Sequence, residues 1–202
     1  CAAFFVESPG RGELLPFLNA DFVGVLIVVA ACAFMGLYVK FNATRLWSFE
    51  ATWVPRLMLL SAVLWWLSGS LVEVYRHFPA HVYLFQQIWL AASVLGMIAL
   101  GHKIKDGLMT GYALVTNCLM LVMMALYMGP GDVGMVFFNV RFLGMLVVAL
   151  FFLPMSLFWL KYEWPEFSQW VSRRLLHRFF LAAGVLVWLG SMTMEIQLCL
   201  SY

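Results

Sequence analysis

The chain has 202 residues, of which 64% are apolar and only 11% are charged, and its formal net charge is +2. Soluble domains carry about 25% charged residues, so this much apolar surface cannot be buried in one soluble domain of this length. The composition, with a mean hydropathy of +0.93, indicates an all-α membrane protein. The small net charge argues against nucleic acid as a partner.

The predicted spans follow from the roughly 20 mostly apolar residues that a helix needs to cross a bilayer. After an N-terminal segment over residues 1–21, this length predicts an all-α bundle of six transmembrane helices, at residues 22–39, 56–75, 82–101, 107–127, 142–160 and 178–199. Pro79 and the run from Gly129 to Gly131 break the chain between spans. Pro154 lies inside span five, where we expect a kink.

Basic residues are distributed unevenly between the two sides of this topology. The first, third and fifth loops contain nine Lys or Arg residues, whereas the N-terminal segment and the even-numbered loops contain three. Cytoplasmic loops are enriched in basic residues, so both termini are predicted to lie outside. Two of the cytoplasmic loops also contain paired tryptophans, Trp47 with Trp53 and Trp164 with Trp170. These loops are predicted to form short interfacial helices, the alternative being ordinary loops.

Spans one and two resemble spans five and six. LNADFVGVLIV at residues 18–28 aligns with FNVRFLGMLVV at 138–148, and RLMLLSAVLWWLSGSLVEV at 56–74 aligns with RFFLAAGVLVWLGSMTMEI at 178–196. Asparagine, arginine, tryptophan and glutamate match in order, which composition alone seldom produces. The pattern predicts a parallel internal repeat with a unit of four spans.

The repeat predicts a domain organisation. Residues 1–21 form an outside N-terminal segment, and residues 22–127 form one complete four-span unit. Residues 128–202 form half of a second unit, with two spans and an interfacial cytoplasmic loop. Such a chain is expected to be part of something longer, or to rely on a membrane partner that covers its end.

Polar residues near the predicted outer ends of the spans fall into two groups. Asn19 matches Asn139 and Glu73 matches Glu195. These four are therefore expected to serve the architecture of the repeat, each Asn hydrogen-bonding the Glu of its own pair of spans. Three further residues have no counterpart in the second copy, and with Glu73 they form the candidate outer-face cluster: Glu73, Arg76, His77 and His81.

Several stretches resemble a known family. LPFLNADFVGVL, SGSLVEVYRHFPAH, LFQQIWLAASVLGMIALGHK and FFNVRFLGMLVVALFF are similar to segments of a family of very large predicted bacterial membrane proteins, classified only as a domain of unknown function. That family has Leu-Asn near span starts and a Glu-x-x-Arg-x-x-His-like stretch after an apolar span. Glu73, Arg76 and His77 match this stretch, although the histidine comes early. The resemblance implies a multi-pass architecture in the bacterial inner membrane and implies no reaction.

Metal and haem sites have little support in the sequence. His77 and His81 have the four-residue spacing of a helical ligand pair, but a proline lies between them and Glu73 is the one further ligand nearby. His102 and His177 lie at span ends, which leaves a haem near the inner face between them as the remaining cofactor alternative. We therefore expect no metal and no cofactor.

The sequence supports a transport or catalytic role less well than a packing role. Span four is the most polar, with Thr110, Tyr112, Thr116 and Asn117, but no span has an acidic or basic residue at its centre, as an ion-coupled carrier would. The outer-face cluster contains an acid, a base and an anion-binding side chain without a nucleophile motif. The sequence thus favours a non-catalytic structural or accessory subunit that packs against other membrane proteins. The alternative is a membrane enzyme or transporter for an anionic or lipid-linked substrate at the outer face.

Cys1 precedes an apolar segment on the predicted outer side. We expect it to be the first residue of a fragment. The second alternative is lipidation, as in mature bacterial lipoproteins, where acyl chains anchor the terminus. The third is a disulfide to Cys199 on the oxidising side of the membrane.

Overall fold

The computed structural model describes residues 17–45, 47–104, 107–127, 139–161 and 172–200. These residues form six long helices and no strand: α1 (Ala20–Phe41), α2 (Ser48–His77), α3 (Val82–Ile104), α4 (Gly107–Tyr127), α5 (Val140–Lys161) and α6 (Arg173–Leu200). Single 3-10 turns at Ala43–Arg45 and Pro79–His81 precede α2 and α3.

All six helices are long and apolar enough to cross a membrane. The predicted all-α fold with six spans is therefore confirmed. Pro154 lies within α5, which continues on both sides of it.

Two helices begin five or more residues before their predicted starts, α2 at Ser48 and α6 at Arg173. α2 begins at Ser48 and has 30 residues, which gives a length of about 45 Å against a hydrocarbon core of about 30 Å. Its first turns include Trp53, over whose ring the Arg56 guanidinium lies at 5.6 Å. The prediction of a separate short interfacial helix here is wrong, because apolar length detects only the part of a helix that lipid covers. The second tryptophan loop, with Trp164 and Trp170, lies outside the described residues.

The chain divides into two compact units, Cys1–His77 and Phe78–Tyr202. In the first unit α1 and α2 pack as an antiparallel pair. Their closest approach includes Gly69, where an added Cβ would lie 2.6 Å from a methyl group of Val25, and Gly36, which faces Leu59. Glycine at these positions allows the helices to approach closely.

In the second unit α3 packs against α4 and α5, and α5 packs against α6. Stacked aromatic rings join α5 to α6: the ring centroid of Phe180 lies 5.3 Å from that of Phe152 and 6.1 Å from that of Trp159. The compact units separate after His77. The boundary predicted after residue 127 divides the two copies of the sequence repeat, and it stays a prediction.

Candidate functional site

The first Asn–Glu pair consists of Asn19 and Glu73, at the end of the first unit where α1 begins and α2 ends. Asn19 precedes α1, and its side-chain oxygen accepts a 2.8 Å hydrogen bond from the backbone N–H of Phe22. Asparagine is a preferred residue at this helix-capping position. The Nδ2 group of Asn19 donates a 2.8 Å hydrogen bond to Oε2 of Glu73. One side chain thus caps α1 and binds α2.

Glu73 is enclosed although it is acidic, with only 3% of its surface exposed. Its Oε2 also lies 3.1 Å from Nδ1 of His77, and its Oε1 lies 3.5 Å from a guanidinium nitrogen of Arg76. A buried carboxylate needs such partners to offset its lost hydration. Both carboxylate oxygens therefore have polar neighbours from the chain itself.

Arg76 reaches from Glu73 towards the surface. Its guanidinium donates to Oδ2 of Asp21 at 3.1 Å, and both side chains are substantially exposed. An exposed ion pair of this kind contributes little to stability, about 0–1 kcal/mol. Arg76 is thus an accessible cation beside Glu73, whereas the carboxylate behind it is covered.

A crevice beside Glu73 has no space for a ligand. It is lined by Asp21, Phe22, Val25, Gly69, Val72, Glu73 and Arg76, and it is too narrow for a water molecule. The cause is the close approach of α1 to α2 at Gly69. Among the described residues, the carboxylate therefore has almost no surface open to a substrate.

The second Asn–Glu pair consists of Asn139 and Glu195. The Asn139 side-chain oxygen accepts a 2.7 Å hydrogen bond from the backbone N–H of Phe142, and its Nδ2 donates a 2.7 Å hydrogen bond to Oε1 of Glu195. Glu195 is 2% exposed. The structure thus contains in α5 and α6 the same two hydrogen bonds that it contains in α1 and α2.

The surroundings of the two pairs differ. Where α1 has Asp21, α5 has Arg141, whose guanidinium lies 3.8 Å from the sulfur of Met194. Among the described residues of α5 and α6, no Asp–Arg pair therefore corresponds to that of Asp21 with Arg76. The Asn–Glu hydrogen bonds are common to both units, whereas their charged neighbours are not.

Glu73, Arg76 and His77 of the predicted cluster lie near one another, and the grouping of His81 with them stays a prediction. Glu73, Arg76 and His77 lie in the first compact unit, and His81 ends the short 3-10 turn of the second, where it is exposed. Within the described part of the chain, no three His, Cys, Asp or Glu side chains are grouped as metal ligands. His177 was considered above with His102 as part of a possible haem site. One of its ring nitrogens lies 3.1 Å from the backbone oxygen of Ser156.

The sequence analysis named the polar residues of α4 but missed the two buried glutamines of α3. Gln86 and Gln87 of α3 are buried, and so are Thr110 and Asn117 of α4. Among the described residues, no hydrogen-bond partner is present for either polar atom of Gln87 or of Asn117. Consecutive glutamines in an otherwise apolar span were the signal in the sequence, because lipid-facing positions rarely contain amides.

Thr116 has local partners. Its hydroxyl donates to the backbone oxygen of Tyr112 at 2.9 Å and lies 3.8 Å from the sulfur of Met97 in α3. This polar side chain of span four therefore faces the neighbouring helix, where it contributes to packing. Cys1 lies outside the described residues.

Comparison with family models, curated proteins and solved structures found no match to this chain. A function therefore has to be argued from the contacts of the chain itself.

Proposed function

We propose that this chain is an integral-membrane structural or accessory subunit that packs against other membrane proteins and has no catalytic role. The observation that carries the proposal is the enclosure of Glu73. Its carboxylate is bound by Asn19 and His77 and lies beside Arg76. A catalytic acid or base must reach its substrate within hydrogen-bond distance, and here that position is taken by the chain's own side chains.

We further propose that α1–α2 and α5–α6 are two copies of one repeated helix pair. The support is that an asparagine caps the first helix and binds a buried glutamate of the second in both. The second copy keeps this arrangement without counterparts of Arg76 and His77. In both copies the Asn–Glu pair then holds two helices together, and this role involves no chemical reaction at either copy.

The proposed location is a bacterial inner membrane with both termini outside. The support is the excess of basic residues in the first, third and fifth loops, together with the resemblance to the large bacterial membrane-protein family. In this orientation both Asn–Glu pairs lie near the outer face. The proposed surroundings are the lipid bilayer and other integral-membrane subunits, and Cys1 is then on the side where lipidation takes place.

The second candidate function is a transporter or enzyme for an anionic or lipid-linked substrate. Two observations favour it: Arg76 is partly exposed beside the buried cluster, and Gln87 and Asn117 are buried amides without partners among the described residues. Buried polar groups inside a membrane protein commonly line a solute path. The structural role ranks first because it accounts for both Asn–Glu pairs.

Two variants separate these functions in a host strain that depends on the protein. The first replaces Arg76, His77 and His81 together by alanine, and the second is Asn19→Ala. We expect the triple variant to assemble into the native membrane complex, seen by native gel electrophoresis, and to restore growth. We expect Asn19→Ala to lower complex yield and growth together. A triple variant that is stable and assembled but does not restore growth would contradict the structural role and favour the second candidate.

A further inference from the structure

One face of α5 is buried beneath α3. A Cβ atom added to Gly144 would lie 2.3 Å from Cε1 and 2.5 Å from Cδ1 of the Tyr83 ring, so glycine is required for this contact. Val148 and Met155 follow at spacings that place them on the same helical face as Gly144, and both are buried. Tyr83 and Gly144 both lie near the start of their helices, so α3 and α5 run parallel.

α1 has the same three residues at the same spacing. Counted from the capping asparagines, Gly24, Val28 and Met35 occupy the positions of the α5 face just described. Their surroundings are different. Among the described residues nothing lies within 4 Å of a Cβ added to Gly24, and Met35 is 51% exposed. Val28 is half-buried, so among the described residues of its own compact unit the α1 face is only partly covered.

This face is not the one that α1 uses to contact α2. The buried residues of α1 are Phe22, Val25 and Gly36, of which the last two lie against Gly69 and Leu59 of α2. At 100° per residue, the centre of that face lies roughly a quarter to a third of a turn from the Gly24 face. The contact with α2 consequently leaves Gly24 uncovered.

Glycine at position 24 weakens the interior of a helix relative to alanine. In α5 the contact between Gly144 and Tyr83 compensates for the equivalent loss. In α1 no described residue makes such a contact with Gly24. A helix that packed there would compensate for this loss as α3 does in α5.

We propose that the α1 face formed by Gly24, Val28 and Met35 is the docking site for a spanning helix of a membrane partner, which runs parallel to α1 and packs an aromatic side chain against Gly24. The occupant is a helix of the α3 type. It is not α3 of a second copy, because Tyr83 is held against Gly144 within each copy. The inference rests on the proposed function and names the surface through which the subunit packs.

The test uses the full chain with its native cysteines replaced by alanine, in liposomes with a synthetic peptide of residues 78–104. The peptide carries Gln87→Cys. In the expected register, Tyr83 of the peptide lies on Gly24 of the protein. The introduced cysteine is one helical turn further along the peptide, so it lies beside Val28→Cys of the protein. Under mild oxidation we expect at least about fivefold more disulfide with Val28→Cys than with Leu26→Cys, a control on another face of α1. Equal yields at the two positions would overturn the proposal.

A second arm tests the glycine itself. Gly24→Leu fills the notch, so we expect it to reduce the disulfide at position 28 at least about fivefold. The matched control is Gly96→Leu, since Gly96 also has nothing within 4 Å among the described residues; it should leave the yield unchanged. Circular dichroism of both variants should match that of the parent. A yield that Gly24→Leu does not reduce would contradict the docking site.

Failure of this inference is distinguishable from failure of the proposed function. A native complex that forms with the parent chain and persists with Gly24→Leu overturns the docking site and leaves the accessory role standing. A chain that migrates alone from its native membrane contradicts the accessory role. In that case the peptide cross-link still decides whether the α1 face binds a helix.

Discussion

Replacement of Asn19 by alanine is expected to lower the free energy of unfolding by about 2–4 kcal/mol. Asn19 makes two hydrogen bonds that alanine cannot make. The bond from its side-chain oxygen to the N–H of Phe22 caps α1, and such a cap contributes about 0.5–2 kcal/mol. The bond to Glu73 has a carboxylate acceptor and two buried partners. Side-chain hydrogen bonds in membranes average about 0.6 and reach about 1.7 kcal/mol, and we expect this one near the upper value.

A double-mutant cycle isolates the second bond. Asn19→Ala, Glu73→Leu and their combination are compared by reversible unfolding in bicelles with increasing dodecyl sulfate, followed by tryptophan fluorescence. Once the carboxylate is replaced by an apolar side chain, Asn19→Ala should lose only the cap, so the expected coupling is about 1.5 kcal/mol. A coupling below about 0.5 kcal/mol would refute the reasoning, since the two groups would then not stabilise one another.

The matched control is Asn42, at the other end of the same helix. Its side chain donates a 2.8 Å hydrogen bond to the backbone oxygen of Tyr38 in an exposed position, without a carboxylate partner. Asn42→Ala should therefore cost no more than about 0.5 kcal/mol. If Asn42→Ala and Asn19→Ala cost the same, the loss reflects helix ends in general and the Asn–Glu pair has no special role.

The other predictions concern glycines and topology. Gly144→Ala should lower the free energy of unfolding by about 1–3 kcal/mol in the same assay, because the new methyl group overlaps the Tyr83 ring. The same substitution in a Tyr83→Ala background should lower it by less. An equal loss in the two backgrounds would exclude that overlap as the cause. Gly96→Ala should be neutral or raise stability by up to about 1 kcal/mol, since it meets no described neighbour; a marked loss would reveal a contact there. In intact cells, a membrane-impermeant thiol reagent should label Cys199. A variant that has Arg173→Cys and none of the native cysteines should not be labelled. The reverse pattern would invert the proposed orientation.

The sequence was most informative about features that depend on short stretches of chain. Apolar length predicted six spans, because crossing a bilayer requires a fixed number of helical residues. Matching of the two similar segments selected Asn19 and Glu73, and Asn139 and Glu195, and the structure contains a hydrogen bond within each pair. The helix starts at Ser48 and Arg173 were not predicted, because a helix continues past the point where lipid contact ends and its residues become polar.

Only the tertiary structure decided which face of each helix is buried. Lipid is as apolar as a protein interior, so the pattern of apolar residues does not distinguish the two in a membrane helix. The burial of Gln87 and the packing of Tyr83 on Gly144 therefore could not be predicted from the spans.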